Sequence, residues 1–170
     1  MSNIQLNQIT ADKELFIKMV LSNWDLQINR MNGLLSKLSD AELSTETAPG
    51  RNTGVYLLGH LAAVSDGMFT FLGLGERINP ALDEVFLRNP ENSGLEKPSI
   101  DDLKDYWNQV NAQLADHISK MQPDEWFNRH TAVSEDDFAK EPHRNKLNIV
   151  INRTGHLAYH LGQLAYLAKK

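Results

Sequence analysis

The sequence predicts an all-α protein in which four long helices pack as one bundle. Four segments carry apolar residues at intervals of three and four, which is the spacing of a helix with one buried face. No run alternates between apolar and polar residues for long, so no β-strand is predicted. A weak internal repeat indicates that each half contains a helix, a short acidic turn, a loop and a second helix. We therefore expect two related helix pairs in a single domain spanning residues 1–170.

The first half of the chain predicts two long helices. The first is expected over about residues 11–37, with Thr10 as its N-cap. Residues 39–42 form the pattern of a capping box and predict a short acidic turn. The second helix is expected over residues 54–72, ended by Gly73. The expected apolar stripe of the first helix is Phe16, Val20, Trp24, Ile28, Met31, Leu35 and Leu38.

The second half begins with a long connection, residues 73–98, which contains three prolines. A short helix is expected over residues 81–87, and the length of the connection suggests that it covers a site or a partner surface. The third helix begins at Ser99. A polar loop over residues 128–145 precedes the fourth helix, expected over residues 145–168.

Composition excludes several classes of protein. The net charge is −5 and no basic stripe occurs, so nucleic-acid binding has little electrostatic support. There are no cysteines, which excludes disulfides, thiolate metal sites and a cysteine nucleophile and fits a reducing cytoplasm. No segment approaches about 18 consecutive apolar residues, so we expect neither a membrane span nor a signal peptide.

The tetrapeptide Gly-His-Leu-Ala occurs twice, around His60 and around His156, and His160 follows one helical turn after the second copy. Histidines four residues apart lie on one face of a helix, about 5–6 Å apart at Cβ, so both can bind one ion. The repeat makes His60 the candidate third ligand. Three neutral imidazoles with an open position form a catalytic metal site, with zinc or nickel favoured over iron or copper. Leu157 stands where a zincin has its glutamate base, so that class is excluded.

The histidines have plainer interpretations as well. A single buried histidine is more often a packed core residue than a ligand. A fourth ligand from the acidic residues 135–137 would turn an open site into a closed structural one. Of the remaining histidines, His117 is expected to be half-buried by packing, and His130 and His143 to be solvated in the polar loop.

Two further side chains are candidates for a catalytic role. Tyr56 lies one turn before His60, and Arg153 lies in a polar stripe with His156, His160 and Gln163. Either could orient a substrate or bond a ligand water, although packing or a surface salt bridge would explain each one singly. The apolar side of the fourth helix is expected to comprise Leu147, Val150, Ile151, Leu157, Leu161 and Leu164.

The chain resembles the DinB/YfiT-like family of metalloproteins over nearly its whole length. The resemblance rests on the Leu-Leu-Gly-His-Leu context of His60 and on the His-x-x-x-His-x-Gly-Gln ending of residues 156–163. It implies a four-helix bundle with a long crossover between helices two and three, a divalent metal on His60, His156 and His160, and a homodimer. The arginine often found before that glycine in the family is absent, and Leu161 takes its place.

Characterised members of that family include thiol-dependent enzymes such as bacillithiol S-transferases and mycothiol-dependent maleylpyruvate isomerase. The resemblance therefore implies a metal-dependent enzyme of the thiol S-transferase type, acting on a small molecule with a low-molecular-weight thiol. A metal-dependent hydrolase or isomerase, with bound water as nucleophile or base, is the first alternative. The second is a non-catalytic ligand- or metal-binding bundle in a stress response.

Overall fold

The computed structural model describes residues 3–168, with side chains from residue 8 onward, and its helical content confirms the all-α prediction. Within these residues no β-strand forms, and the four longest helices match the four predicted ones. Short helices lie between them. In chain order the α-helices are α1 Asn3–Leu35, α2 Asp40–Leu43, α3 Gly54–Leu72, α4 Leu82–Phe86, α5 Ile100–Lys120, α6 Glu135–Lys140 and α7 Lys146–Leu164.

Helix α3 is the central element of the bundle. It packs against α5 on one side and α7 on another, while α7 also packs against α1. The end of α3 lies beside the start of α7, where Gly73 approaches the Lys146 side chain, and its start lies beside Leu167 just beyond the end of α7. The two helices are therefore antiparallel. Residues near the end of α3 lie beside residues near the start of α7.

The core is a single cluster of buried apolar side chains drawn from all four long helices. Its largest members include the three tryptophans, Trp24, Trp107 and Trp126, which are almost completely buried as expected for core anchors. The indole N–H of Trp107 donates to Asn32 Oδ1 at 2.8 Å, so α5 is also joined to α1. The Asn32 oxygen thereby satisfies the indole N–H, which burial would otherwise leave without a hydrogen bond.

The two halves share a local design before each histidine helix. An isolated antiparallel bridge pairs Glu46 with Thr53 just before α3, and another pairs Arg129 with Asn145 just before α7. Thr53 and Asn145 are then the N-caps, each accepting from a backbone N–H in the first turn of its helix. The second half differs by the insertion of α6, which ends a few residues before α7.

The crossover, residues 73–98, lies along one stripe of α3 and runs back toward its N-terminus. Thr53, Tyr56 and His60 lie on that stripe, because their spacing follows the helical period, and Asp66 lies farther along α3. Their partners occur in the reverse order along the chain, at Glu91, the Asn89 carbonyl, the Phe86 carbonyl and the backbone N–H of Ile78 respectively. The crossover thus covers the helix that carries His60, as the sequence suggested for this segment.

Helix α1 begins earlier than predicted, at Asn3, so the prediction of Thr10 as its N-cap is wrong. The buried stripe also differs at one position, since Phe16 is 48% exposed and Ile17 is 7% exposed. On α7 the predicted apolar residue Ile151 is 43% exposed, whereas Thr154 is buried. Thr154 tolerates burial because its hydroxyl donates to the Val150 carbonyl one turn earlier, at 2.7 Å.

The polar segment before α7 is more ordered than its composition indicated. It contains α6, whose N-cap Ser134 accepts from the Asp137 backbone N–H, a serine and aspartate spacing that marks a helix start. His130 is 8% exposed, so the prediction that it is solvated is wrong. The segment returns to the end of α3, where Thr131 donates to the carbonyls of Phe71 and Thr70, and this docking buries His130.

Helix α3 passes a test of length and composition for crossing a membrane, with 19 residues and a mean hydropathy of 1.4. Most of this stretch is buried inside the bundle, against α5, α7 and the crossover. The apolar character of α3 is therefore explained by its place at the centre of the core.

Candidate metal centre

Helices α3 and α7 bring the three predicted histidines together. The Nε2 atoms of His60 and His156 are 3.2 Å apart, and those of His156 and His160 are 3.0 Å apart. His60 comes from the middle of α3, and the other two come from successive turns of the antiparallel α7. In the part of the chain that the structure describes, these residues form a group whose ligand atoms all lie within 4.8 Å of one another.

Two of the three rings are oriented by oxygen acceptors that the sequence did not identify. His60 Nδ1 donates to the Phe86 carbonyl at 2.9 Å, and His160 Nδ1 donates to Gln163 Oε1 at 2.6 Å. A carbonyl oxygen can only accept, so the proton of each neutral ring is on Nδ1 and the lone pair is on Nε2. Metal-binding histidines usually donate their other ring N–H to an oxygen acceptor in this way. The sequence analysis placed Gln163 in a polar stripe with the histidines, but no local pattern predicted the contact with Phe86.

The donor set fits a divalent ion. Two nitrogens bound at about 2.0–2.1 Å to one tetrahedral zinc lie about 3.3–3.4 Å apart, close to the separations of the Nε2 atoms. The Nε2 lone pairs of His60 and His160 both face His156 Nε2, and either a divalent ion or a proton on that atom satisfies them. No carboxylate belongs to the group among the described residues, which leaves a coordination position open for a small molecule.

Burial keeps the centre uncharged in the absence of metal. Desolvation, reinforced by the charges of His160, His60 and Arg153, lowers the pKa of His156 to about 4. Desolvation also lowers the pKa of His160, against the opposing effect of its bond to Gln163. His156 Nδ1 is buried and has no hydrogen-bond partner among residues 8–168. Neutral imidazoles at physiological pH bind a metal without first losing protons.

The two glycines of the repeated tetrapeptide have different surroundings. A Cβ added at Gly59 would lie less than 3.0 Å from three atoms of the Phe86 ring, whereas a Cβ added at Gly155 would meet nothing within 4 Å. Phe86 is fully buried. Gly59 therefore lets α4 approach α3 closely enough for the Phe86 carbonyl to reach His60.

The other candidates lie around this centre rather than in it. The Tyr56 hydroxyl donates to the Asn89 carbonyl at 2.6 Å and so holds the crossover, and the guanidinium of Arg153 lies over the Phe71 ring, 5.5 Å from its centroid. His117 is half-buried, with its ring edge against Phe69, and His143 is exposed, as expected. The acidic residues 135–137 are exposed on α6 and are not members of the histidine group.

Two cavities flank the histidines. One, of about 260 Å³, is mostly polar and is lined by His160 and Gln163 together with Arg51, Asn52 and Tyr159. The other, of about 230 Å³, lies between α3 and α7 on the opposite side and has Arg153 in its wall. The first of these cavities gives a small molecule access to His160.

Comparison with known proteins places the chain in a family and shows a likeness of fold. The model of the DinB superfamily matches residues 23–164, which contain all three histidines. A crystal structure described as a conserved protein from Enterococcus faecalis is similar in fold, with a TM-score of 0.60 and 17% identity over 89% of this chain and 94% of that one. A search of curated proteins finds no match. Because the family match covers most of the chain, the protein belongs to the DinB superfamily.

Proposed function

We propose that the protein is a metal-dependent enzyme that activates a low-molecular-weight thiol, or water, for attack on a small electrophilic substrate. The observation that carries the proposal is the convergence of three Nε2 atoms in a group to which no other described residue contributes a ligand. A divalent ion there would lower the pKa of a bound thiol or water and stabilise the resulting anion. Zinc or nickel suits this donor set best, ahead of iron or copper.

The chain itself supplies binding and orientation. The Phe86 carbonyl and Gln163 fix the rings of His60 and His160, so these ligands need little rearrangement when a metal binds. Partial burial of His156 and His160 removes water from the centre and so strengthens its electrostatic interactions.

Metal content is the first test of this function. Protein purified without chelator or nickel resin is measured by elemental mass spectrometry beside a His156→Ala/His160→Ala variant, with the exposed His143→Ala as a matched control. We expect close to one divalent ion per chain in the parent and in the control, and loss of the ion in the double variant. Circular dichroism checks that the double variant remains helical. A parent that takes up neither zinc nor nickel would leave a non-catalytic bundle as the better account.

Thiol dependence then separates the enzymatic alternatives. The metal-loaded protein is incubated with monochlorobimane and with cysteine, glutathione, coenzyme A or bacillithiol in turn. Conjugation that requires both metal and one of these thiols supports the S-transferase. Metal-dependent cleavage of ester or amide substrates without any thiol supports the hydrolase instead.

The proposal also includes a homodimer and a cytoplasmic location. Support for the dimer comes from exposed apolar side chains on neighbouring faces of α1 and α7, where Phe16, Met19 and Ile151 are 48%, 62% and 43% exposed. Sedimentation equilibrium should show a dimer that Met19→Glu dissociates and Leu95→Glu, at an exposed leucine of the crossover, does not. The cytoplasmic location is supported by the cysteine-free sequence, which fits a reducing compartment.

A further inference from the structure

The cavity of about 230 Å³ between α3 and α7 begins one helical turn from the histidine centre. Its wall on α3 includes Val64, four residues after His60, and its wall on α7 includes Arg153, three residues before His156. Because the helices are antiparallel, both displacements point the same way. At 1.5 Å per residue they amount to about 4.5–6 Å along the groove. The cavity therefore lies about one helical turn along the groove from the histidine centre.

Arg153 is a half-buried cation without an anionic partner. Among the described residues no carboxylate lies within 4 Å of its guanidinium and no hydrogen bond satisfies it; its recorded contact is the face of the Phe71 ring. Asp83, on the same cavity wall, is already bound by Arg77. Desolvation lowers the pKa of Arg153, with no carboxylate opposing that effect. A cation removed from water without a partner is costly, and an incoming anion recovers that cost.

The remaining walls of the cavity are mainly apolar. Val64 and Phe71 from α3 and Leu87 from the crossover surround the arginine. The guanidinium lies over the Phe71 ring, 5.5 Å from its centroid, and its planar shape suits two parallel hydrogen bonds to a carboxylate. The opposite cavity, beside His160, lacks this combination because its cation, Arg51, is exposed to solvent.

We propose that this cavity binds the carboxylate of the substrate, with Arg153 as its partner, and that the substrate is a small organic acid with a short apolar body. Its reactive end then lies at the histidine centre, so the assignment of substrate class rests on the proposed function. The carboxylate subsite itself consists only of this chain's residues, and it is complete whether or not a metal is bound.

Benzoate, with benzyl alcohol as its uncharged counterpart, tests the subsite by isothermal titration calorimetry. Both probes are titrated into the zinc-loaded protein and into metal-free protein, for the parent and for Arg153→Met, Arg153→Lys and Arg51→Met. Methionine keeps the length of the arginine stem and removes the charge, lysine restores a charge without the planar fork, and Arg51→Met removes the cation of the opposite cavity. Circular dichroism establishes that each variant is folded.

We expect Arg153→Met to weaken benzoate binding about tenfold to a hundredfold, since a charge-assisted bidentate pair is lost, with Arg153→Lys between it and the parent. Benzyl alcohol binding should change little, and Arg51→Met should bind benzoate as the parent does. Arg153-dependent binding in metal-free protein supports the subsite even if the metal-dependent function fails. Absence of benzoate binding in the parent, or binding that needs zinc and ignores Arg153, overturns the subsite while leaving the metal centre intact.

Discussion

Helices α3 and α7 carry the same tetrapeptide and each contain 19 residues, but they hold their histidines in different ways. Twelve residues of α3 are buried, and the crossover packs along it. Only five residues of α7 are buried, and its histidines lie in a half-exposed polar stripe. His60 is oriented by a backbone carbonyl that the crossover delivers, whereas His160 is oriented by a side chain of its own helix.

The comparison indicates that one ligand is fixed by tertiary packing and the other two by local helix geometry. Substitutions on α3 should therefore act through the position of the crossover, and those on α7 through the histidine surroundings alone. Positions six residues after the first histidine of each helix show the contrast well, since α3 has the fully buried Asp66 there and α7 has the open Gly162.

The largest expected effect is that of Asp66→Ala. Asp66 accepts from the backbone N–H groups of Ile78 and Asn79 and from Arg77 Nε, and so fixes the start of the crossover. Its loss leaves buried donors unbonded, and we expect the free energy of unfolding to fall by about 3–5 kcal/mol in urea titrations. Gly162→Ala, the matched change on α7, should leave stability equal or slightly higher. Equal small effects at the two positions would contradict anchoring of the crossover by Asp66.

The two glycines provide the next test. Gly59→Ala forces the buried Phe86 ring to move, and overpacking of this kind costs about 1–3 kcal/mol. Gly155→Ala should instead stabilise the helix by about 0.5–1 kcal/mol, because its Cβ meets open space. Both are measured by urea unfolding at a protein concentration low enough to keep the chain monomeric. Metal affinity should fall in Gly59→Ala alone, since only that change displaces the carbonyl bonded to His60.

The sequence predicted features determined by local patterns. The helix periodicity, Gly73 as a stop, Ser99 as a start and the spacing of His156 and His160 are all read from residues within a few turns. The juxtaposition of these histidines with His60 also followed, because the repeat marked α3 and α7 as equivalent elements.

The features that the sequence missed depend on distant partners. The Phe86 carbonyl lies 26 residues along the chain from His60, which it orients. Every residue has a backbone carbonyl, so the sequence does not indicate which one accepts this bond. The burial of His130 depends on docking of its segment on the end of α3, which no local pattern records. Phe16 and Ile17 are adjacent apolar residues, so periodicity alone could not decide which one faces the core.

Removal of the Gln163 amide tests the local arrangement on α7. Gln163→Leu leaves His160 Nδ1 without its acceptor, and loss of such an outer partner typically weakens metal binding about 10–100-fold. Competition with a fluorescent zinc chelator measures the affinity. Tyr159→Phe is the control, because the tyrosine hydroxyl accepts from the Gln163 amide nitrogen at 3.4 Å, whereas His160 Nδ1 is bonded to the other end of that amide, Oε1. An unchanged zinc affinity in Gln163→Leu would mean that packing, rather than this bond, orients His160.

The smallest expected effect distinguishes the N-termini of the two helices. Burial raises the pKa of Glu91, but hydrogen bonds from the Thr53 hydroxyl and backbone N–H, and from Lys97, outweigh it and lower the pKa below the ordinary 4.5. A lowered folded-state pKa stabilises the fold above the unfolded value, and this contribution is lost as pH falls through the folded value. Glu91→Gln should therefore cost about 1 kcal/mol at pH 7, with the difference from the parent shrinking below about pH 4.5.

Helix α7 has no equivalent charge, because its cap is the neutral Asn145, which accepts from the Asn148 backbone N–H. Asn145→Ala should also lower the free energy of unfolding by about 1 kcal/mol, but this loss should be the same at every pH from 3 to 7. Urea unfolding of the three proteins across this range gives the comparison directly. Parallel pH profiles for Glu91→Gln and Asn145→Ala would show that the crossover is held on α3 without help from the Glu91 charge. If only Glu91→Gln regains the parent's free energy of unfolding on acidification, the Glu91 charge stabilises the N-terminus of α3, the helix that positions His60.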